Sequence, residues 1–224
     1  MGNFKGIIFD FNGTLFFDSK MHYDAWKDFS KKLRGTAFSD KEMREHMFGR
    51  TNKDIIAYAI GKIPDENLVK TLGDEKESLY RERCLRMGAD CKLAPYATVF
   101  LDYLKTNNFP MTIATMSNKD NVDFFIKQFK LDKWFDLNKI VYDNGKIKGK
   151  PAPDIYLQAA KNIGLPPQKC IVVEDALSGI EAAHQAGIGK IVAIASMEKV
   201  SLYENRPEIH SVIKDYKNFM KILE

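Results

Sequence analysis

Apolar positions along the chain fall into strand-like runs at its start and through its second half, with a long helical block between them. Lys5-Gly-Ile-Ile-Phe-Asp10 is short, rich in β-favouring residues and cut off at Asn12-Gly13, so it predicts a buried strand ending in a turn. His22, Ala25, Trp26, Phe29 and Leu33 then recur at helical spacing behind Asp18-Ser19. Thr51-x-x-Asp54 reads as a capping box ahead of Ile55, Ile56, Ala59 and Ile60, and a third helix begins near Pro64 with Leu68, Leu72 and Leu79 on one face. No strand-like run interrupts residues 18 to 90, which therefore read as an insertion between the first strand and the rest of its sheet.

From Pro95 onward strands and helices alternate. The pattern predicts a helix from Ala97 to Lys105, a strand from Met111 to Thr115, a helix from Lys119 to Phe129 and a hairpin from Ile140 to Ile147 turning at Asn144-Gly145. A helix from Pro153 to Ile163, a strand from Cys170 to Val173, a helix from Ser178 to Ala186 and a strand from Gly189 to Ile194 follow. Such alternation means an α/β fold in which a parallel sheet is covered on both faces.

Composition narrows the function classes. Of 224 residues 45% are hydrophobic and 29% charged, the balance of a globular domain able to bury a sizeable core. The net charge of +4, with no run of five like charges, gives no nucleic-acid footprint but suits an acidic or phosphorylated small ligand. Cys84, Cys91 and Cys170 are odd in number and lack zinc spacing, and no secretory signal is evident, so a cytoplasmic location is expected. No run approaches ~18 apolar residues, and no membrane partner is expected. Neither a Walker loop nor a Gly-x-Gly-x-x-Gly fingerprint occurs, and the aromatic residues are spread as core.

In an open parallel sheet the ligand crevice lies at the carboxyl ends of the strands, so the residues ending each strand carry the information. The first strand ends at Asp10 and Asn12-Gly13-Thr14, the second at Thr115-Met116-Ser117-Asn118, and the Cys170 strand at Glu174-Asp175; Gly149-Lys150-Pro151 precedes the Pro153 helix. Converging carboxylates repel by ~4 kcal/mol per pair at 4 Å and an effective dielectric of 20. A hard divalent ion such as Mg²⁺ relieves that repulsion and suits a phosphate-handling site, with Lys150 a further fixed positive charge.

These residues resemble the four motifs of the haloacid dehalogenase superfamily, in its helical-cap branch that includes β-phosphoglucomutase and many sugar-phosphate phosphatases. Phe9-Asp10-Phe-Asn12-Gly13-Thr14-Leu15 is similar to the first motif, Thr115 to the second, Lys150 in Gly-Lys-Pro-Ala-Pro-Asp154 to the third and Glu174-Asp175 to the fourth. The resemblance implies a Rossmann-like core at 1–15 and 94–224 and a helical cap at 16–93. It implies a Mg²⁺-dependent phosphohydrolase acting on a small phosphorylated metabolite, with Asp10 the nucleophile that becomes an aspartyl phosphate; a monomer is expected. Mg²⁺ is then expected on Asp10, Asp175 and the carbonyl of Asn12, with Glu174 supporting its waters. Thr115 and Lys150 are expected on the phosphate, and Ser117 and Asn118 against substrate.

One position departs from the pattern. Phosphatases and mutases of the superfamily usually have Asp where Asn12 stands, as general acid and base, and an amide does neither job. Natural specialisation, impairment and engineering all remain open for it. His22 resembles a histidine that helps position the acid–base residue and is a substitute base to test. In the cap, Gly49-Arg50-Thr51-Asn52-Lys53 is similar to the mutase Gly-x-Ser-Arg loop with Asn52 in the arginine's place. Arg50, Lys53 and Lys76 are expected substrate contacts. A phosphosugar mutase and a catalytically weak phosphate-metabolite binding or regulatory protein are the alternative functions.

Overall fold

The computed structural model describes residues 4–47, 50–196 and 198–223. The chain forms two compact units, Met1–Phe17 with Lys92–Glu224, and Asp18–Cys91. In the first, a six-stranded sheet is built from β1 (Gly6–Phe9), β2 (Met111–Asn118), β3 (Val141–Asp143), β4 (Cys170–Glu174), β5 (Lys190–Ile194) and β6 (Ser211–Ile213) in the order β3-β2-β1-β4-β5-β6. Every neighbouring pair is parallel. The central strands are apolar on both faces because both faces are covered: Ile7, Ile8, Phe9, Ile171, Val172 and Val173 have no exposed surface.

Ile8 and Val172 pack with Ile155, Tyr156, Ala159 and Ala160 of α7 (Asp154–Asn162) and Ile180, Ala182 and Ala183 of α8 (Leu177–Gln185). Their neighbour Phe9 points to the opposite face, edge-on to Phe100 of α5 (Ala97–Thr106) and to Phe135. Small alanines on α7 and α8 let those helices sit close to the sheet. Strand order reverses at β1, whose partners β2 and β4 lie on opposite sides. The chain leaves the sheet in opposite directions there, opening a crevice at the carboxyl ends of β1, β2 and β4.

The second unit consists of α1 (Ser19–Arg34), α2 (Asp40–His46), α3 (Asn52–Ile60) and α4 (Glu66–Arg86) around Trp26, Phe29, Phe38, Met43, Ile55 and Ile56. Capping boxes start α2 at Ser39 with Glu42 and α3 at Thr51 with Asp54, each satisfying backbone N–H groups that a helix start leaves open. Gly35 ends α1 in the left-handed conformation at φ 80°, after Lys31, Lys32 and Arg34 in the last turn.

The hairpin expected from Ile140 to Ile147 does not form. The Asn144-Gly145 turn is present, with Asp143 accepting from the Gly145 N–H at 2.9 Å and Asn144 from the Lys146 N–H at 3.0 Å. The chain beyond it packs Ile147 onto the core and runs to Lys150 instead of returning along β3, which pairs only in parallel with β2. Among the described α-helices and strands, α2 and β6 have no counterpart in the sequence pattern. Among the described residues no helix is long and apolar enough to cross a membrane.

Candidate active site

Asp10 follows β1 directly, and its N–H donates to the carbonyl of Val173 at 3.0 Å, extending the sheet pairing by one residue. This fixes the side chain at the crevice floor, 5% exposed. The Lys150 ammonium lies 2.6 Å from Asp10 Oδ1 and 2.6 Å from Glu174 Oε2. Glu174, at the end of β4, also accepts from the Tyr156 hydroxyl and from the Ala176 N–H, the latter at 3.0 Å. Asp175 Oδ1 accepts from the Thr14 hydroxyl at 3.1 Å. Gly13, at φ 75°, leaves room for that carboxylate: a Cβ there would stand 2.0 Å from Asp175 Oδ2. Gly179 does the same for Glu174, whose carboxylate a Cβ would meet at 2.1 Å.

Burial opposes the charge on Lys150, but Asp10 and Glu174 outweigh it and hold the ammonium firmly protonated. Asp175 shows the opposite imbalance. Burial, then the charges of Glu174 and Asp10, push its carboxyl well above the usual carboxylate range against the opposing pull of Lys150 and Thr14. Oxygens of Asp10, Glu174 and Asp175 lie within 4.8 Å of one another. Three carboxylates against one ammonium leave an excess of negative charge that a hard divalent cation would neutralise, so the donor set fits Mg²⁺.

β2 brings Thr115 and Ser117 to the same crevice. Both hydroxyls donate to Asn12 Oδ1, from Ser117 at 2.6 Å and from Thr115 at 3.3 Å, and the Ser117 N–H donates to Thr115 Oγ1 at 3.1 Å. The Asn12 amide is therefore clamped across the crevice by its oxygen. Asn118 caps α6 (Lys119–Phe129), accepting from the Asn121 N–H at 3.0 Å, so that side-chain oxygen already has a structural partner.

Asp10, Asn12, Thr115, Ser117, Lys150, Glu174 and Asp175 thus share one crevice. Thr14, Tyr156 and Gly179 join it without having been singled out in the sequence. Thr14 stood inside the quoted first motif. Tyr156 lies two residues into α7 beyond Asp154, and no local pattern marks it.

The helical unit holds the remaining predicted residues. Lys76, 1% exposed, donates to Glu77 Oε1 at 2.9 Å and lies 2.9 Å from His22 Nδ1. An ammonium has no lone pair, so Nδ1 is the acceptor and the ring proton resides on Nε2. The ring stacks on Tyr80 at 3.8 Å, and the Tyr80 hydroxyl donates to Asp18. Asn52 donates to Glu77 at 2.9 Å. Arg50 and Lys53 are exposed around the start of α3, while Gly49 lies outside the described residues.

Burial and the Lys76 charge, partly offset by Glu77, lower the His22 pKa from 6.5 to about 3. Between those values the unfolded chain takes up a proton at His22 that the folded chain refuses, so this residue costs no stability above pH 6.5 and an increasing amount as pH falls towards 3. Melting temperatures at pH 7.5 and 5 should differ less in His22→Gln than in the native chain. An unchanged difference would count against a His22 held neutral in the fold.

The model of the haloacid dehalogenase-like hydrolase family matches residues 4–187. The chain belongs to this family. Consistent with membership in the haloacid dehalogenase-like hydrolases, a family IA, variant 3 hydrolase from Entamoeba histolytica superposes with a TM-score of 0.87 at 40% identity, covering 95% of this chain and 93% of that one. The phosphorylated carbohydrates phosphatase of Thermotoga maritima is 26% identical over 195 residues, 85% of each chain. The β-phosphoglucomutase of Bacillus subtilis is 27% identical over 189 residues, 82% of this chain and 80% of its own. The chain is therefore an enzyme of a hydrolase family whose relatives include phosphatases and a phosphosugar mutase.

Proposed function

We propose that the protein is a Mg²⁺-dependent phosphohydrolase of a small phosphorylated metabolite, a sugar phosphate in the first instance. The observation that carries this reading is the Lys150 ammonium held 2.6 Å from both Asp10 and Glu174, with Asp175 alongside, at the carboxyl ends of adjacent strands. Asp10, Asp175 and the Asn12 carbonyl, with Glu174 beside them, would hold Mg²⁺, which would supply positive charge to offset the phosphate. Asp10 attacks phosphorus and the alkoxide leaves, giving an aspartyl phosphate; water then releases phosphate and regenerates Asp10. Lys150, 2.6 Å from Asp10 Oδ1, aligns the nucleophile, and the hydroxyls of Thr115 and Ser117 bind phosphate oxygens.

Specificity is then assigned to the helical unit, with Arg50 and Lys53, both exposed around the start of α3, as the cations that meet substrate. Lys76 is committed to His22 and Glu77, and Asn52 to Glu77, which favours hydrolysis over a mutase that grips a second phosphate. His22 is a poor base with Nδ1 facing an ammonium. A second reading, phosphate binding with weak turnover, is favoured by Asn12 alone. Release of inorganic phosphate from a panel of sugar phosphates, with Mg²⁺ and with EDTA, tests the proposal. Metal-independent release, or none from any ester including p-nitrophenyl phosphate, would remove it.

A further inference from the structure

Two tyrosines from the segment after β5 reach the loops that carry the acidic cluster. Tyr203, 2% exposed, donates its hydroxyl to the main-chain carbonyl of Asp175 at 2.6 Å. Tyr216, 3% exposed, reaches the carbonyl of Thr14 at 3.4 Å, and Thr14 in turn bonds the Asp175 carboxylate. Both lie beyond residue 187, where the match to the family model ends.

The Tyr203 bond matters because of what shares its peptide. The Asp175 carbonyl and the Ala176 N–H belong to one planar unit, and that N–H donates to Glu174 Oε1 at 3.0 Å. The plane is therefore pinned at both ends. Tyr203 holds the oxygen and Glu174 the hydrogen, which together fix where the Asp175 side chain leaves the backbone and how the Glu174 carboxylate is turned. A cation that demands near-ideal octahedral geometry is sensitive to such a tilt.

We propose that Tyr203 is a positioning residue for cation binding, acting through the Asp175–Ala176 peptide and not through any contact with the ion. The inference rests on the reading of Asp175 as a metal ligand. Tyr203→Phe keeps the packed ring and removes only the donor, so the variant retains its fold. Partners of this kind, once removed, typically weaken metal binding about tenfold or more.

The test is calorimetric titration of Mg²⁺ into the full chain for the native protein, Tyr203→Phe, Tyr216→Phe and Asp175→Asn, with melting temperatures in EDTA beside it. Tyr203→Phe should bind Mg²⁺ about tenfold more weakly, with kcat at saturating Mg²⁺ returning to the native value. Tyr216→Phe, whose bond is longer and ends on Thr14, should weaken binding less. Native affinity in Tyr203→Phe together with lost binding in Asp175→Asn would overturn the positioning role and leave the metal site standing. A lowered melting temperature with unchanged affinity would also overturn it, marking Tyr203 as a packing residue only. Undiminished Mg²⁺ binding in Asp175→Asn would defeat the ligand assignment itself, and the inference with it.

Discussion

Asp10→Asn should reduce phosphate release by roughly 10⁴-fold or more, the scale seen when a covalent nucleophile is removed. The substitution is nearly isosteric and the residue is 5% exposed, so packing is preserved. The Asp10 N–H still donates to Val173, and Lys150 still has Glu174 at 2.6 Å. What disappears is the anionic oxygen, since an amide oxygen is a far weaker nucleophile towards phosphorus. The loss should therefore appear in kcat under saturating Mg²⁺, while circular dichroism and the melting curve remain close to native. Turnover within tenfold of native in a verified Asp10→Asn preparation would transfer the nucleophile role elsewhere and dismantle the proposed reaction.

Strand positions were legible because β1 and β4 are apolar on both faces, a pattern that only a doubly covered parallel sheet produces. Their polar ends were legible for the related reason that the chain becomes hydrophilic where the crevice opens. Asn144-Gly145 misled because a turn signal specifies the turn alone; whether a strand returns depends on what the next residues can reach, and Ile147 and Lys150 are drawn to the core and the crevice. β6 is three half-buried residues, too short to display alternation. Contacts across long sequence separations had no local signature at all. The resemblance names Lys76 as a substrate contact, and nothing in its neighbours along the chain signals its burial against His22, 54 residues away. Tyr203 gives no hint in sequence that its hydroxyl serves Asp175.

Asn12→Asp should raise kcat/KM for an alkyl sugar phosphate by roughly 10²-fold, within the range a general acid–base group contributes and equivalent to about 2.7 kcal/mol of barrier. Asn12 Oδ1 accepts from Ser117 at 2.6 Å and Thr115 at 3.3 Å, bonds that an aspartate oxygen preserves. The second side-chain atom changes from an amide nitrogen, which cannot yield its proton at neutral pH, to an oxygen that can carry one. The gain should depend on the leaving group. p-Nitrophenolate departs without protonation, so its ester should gain less in the first step than an alkyl phosphate. The second step shares the handicap, because the amide cannot take a proton from the attacking water, and an aspartyl phosphate on Asp10 should persist in the native protein long enough to trap by acid quench and mass spectrometry. In Asn12→Asp that species should shorten in lifetime as turnover rises. If the native chain hydrolyses alkyl phosphates as fast as Asn12→Asp, the proton comes from another group. That group would not be His22 as the fold holds it, since its Nδ1 faces the Lys76 ammonium and its pKa lies near 3.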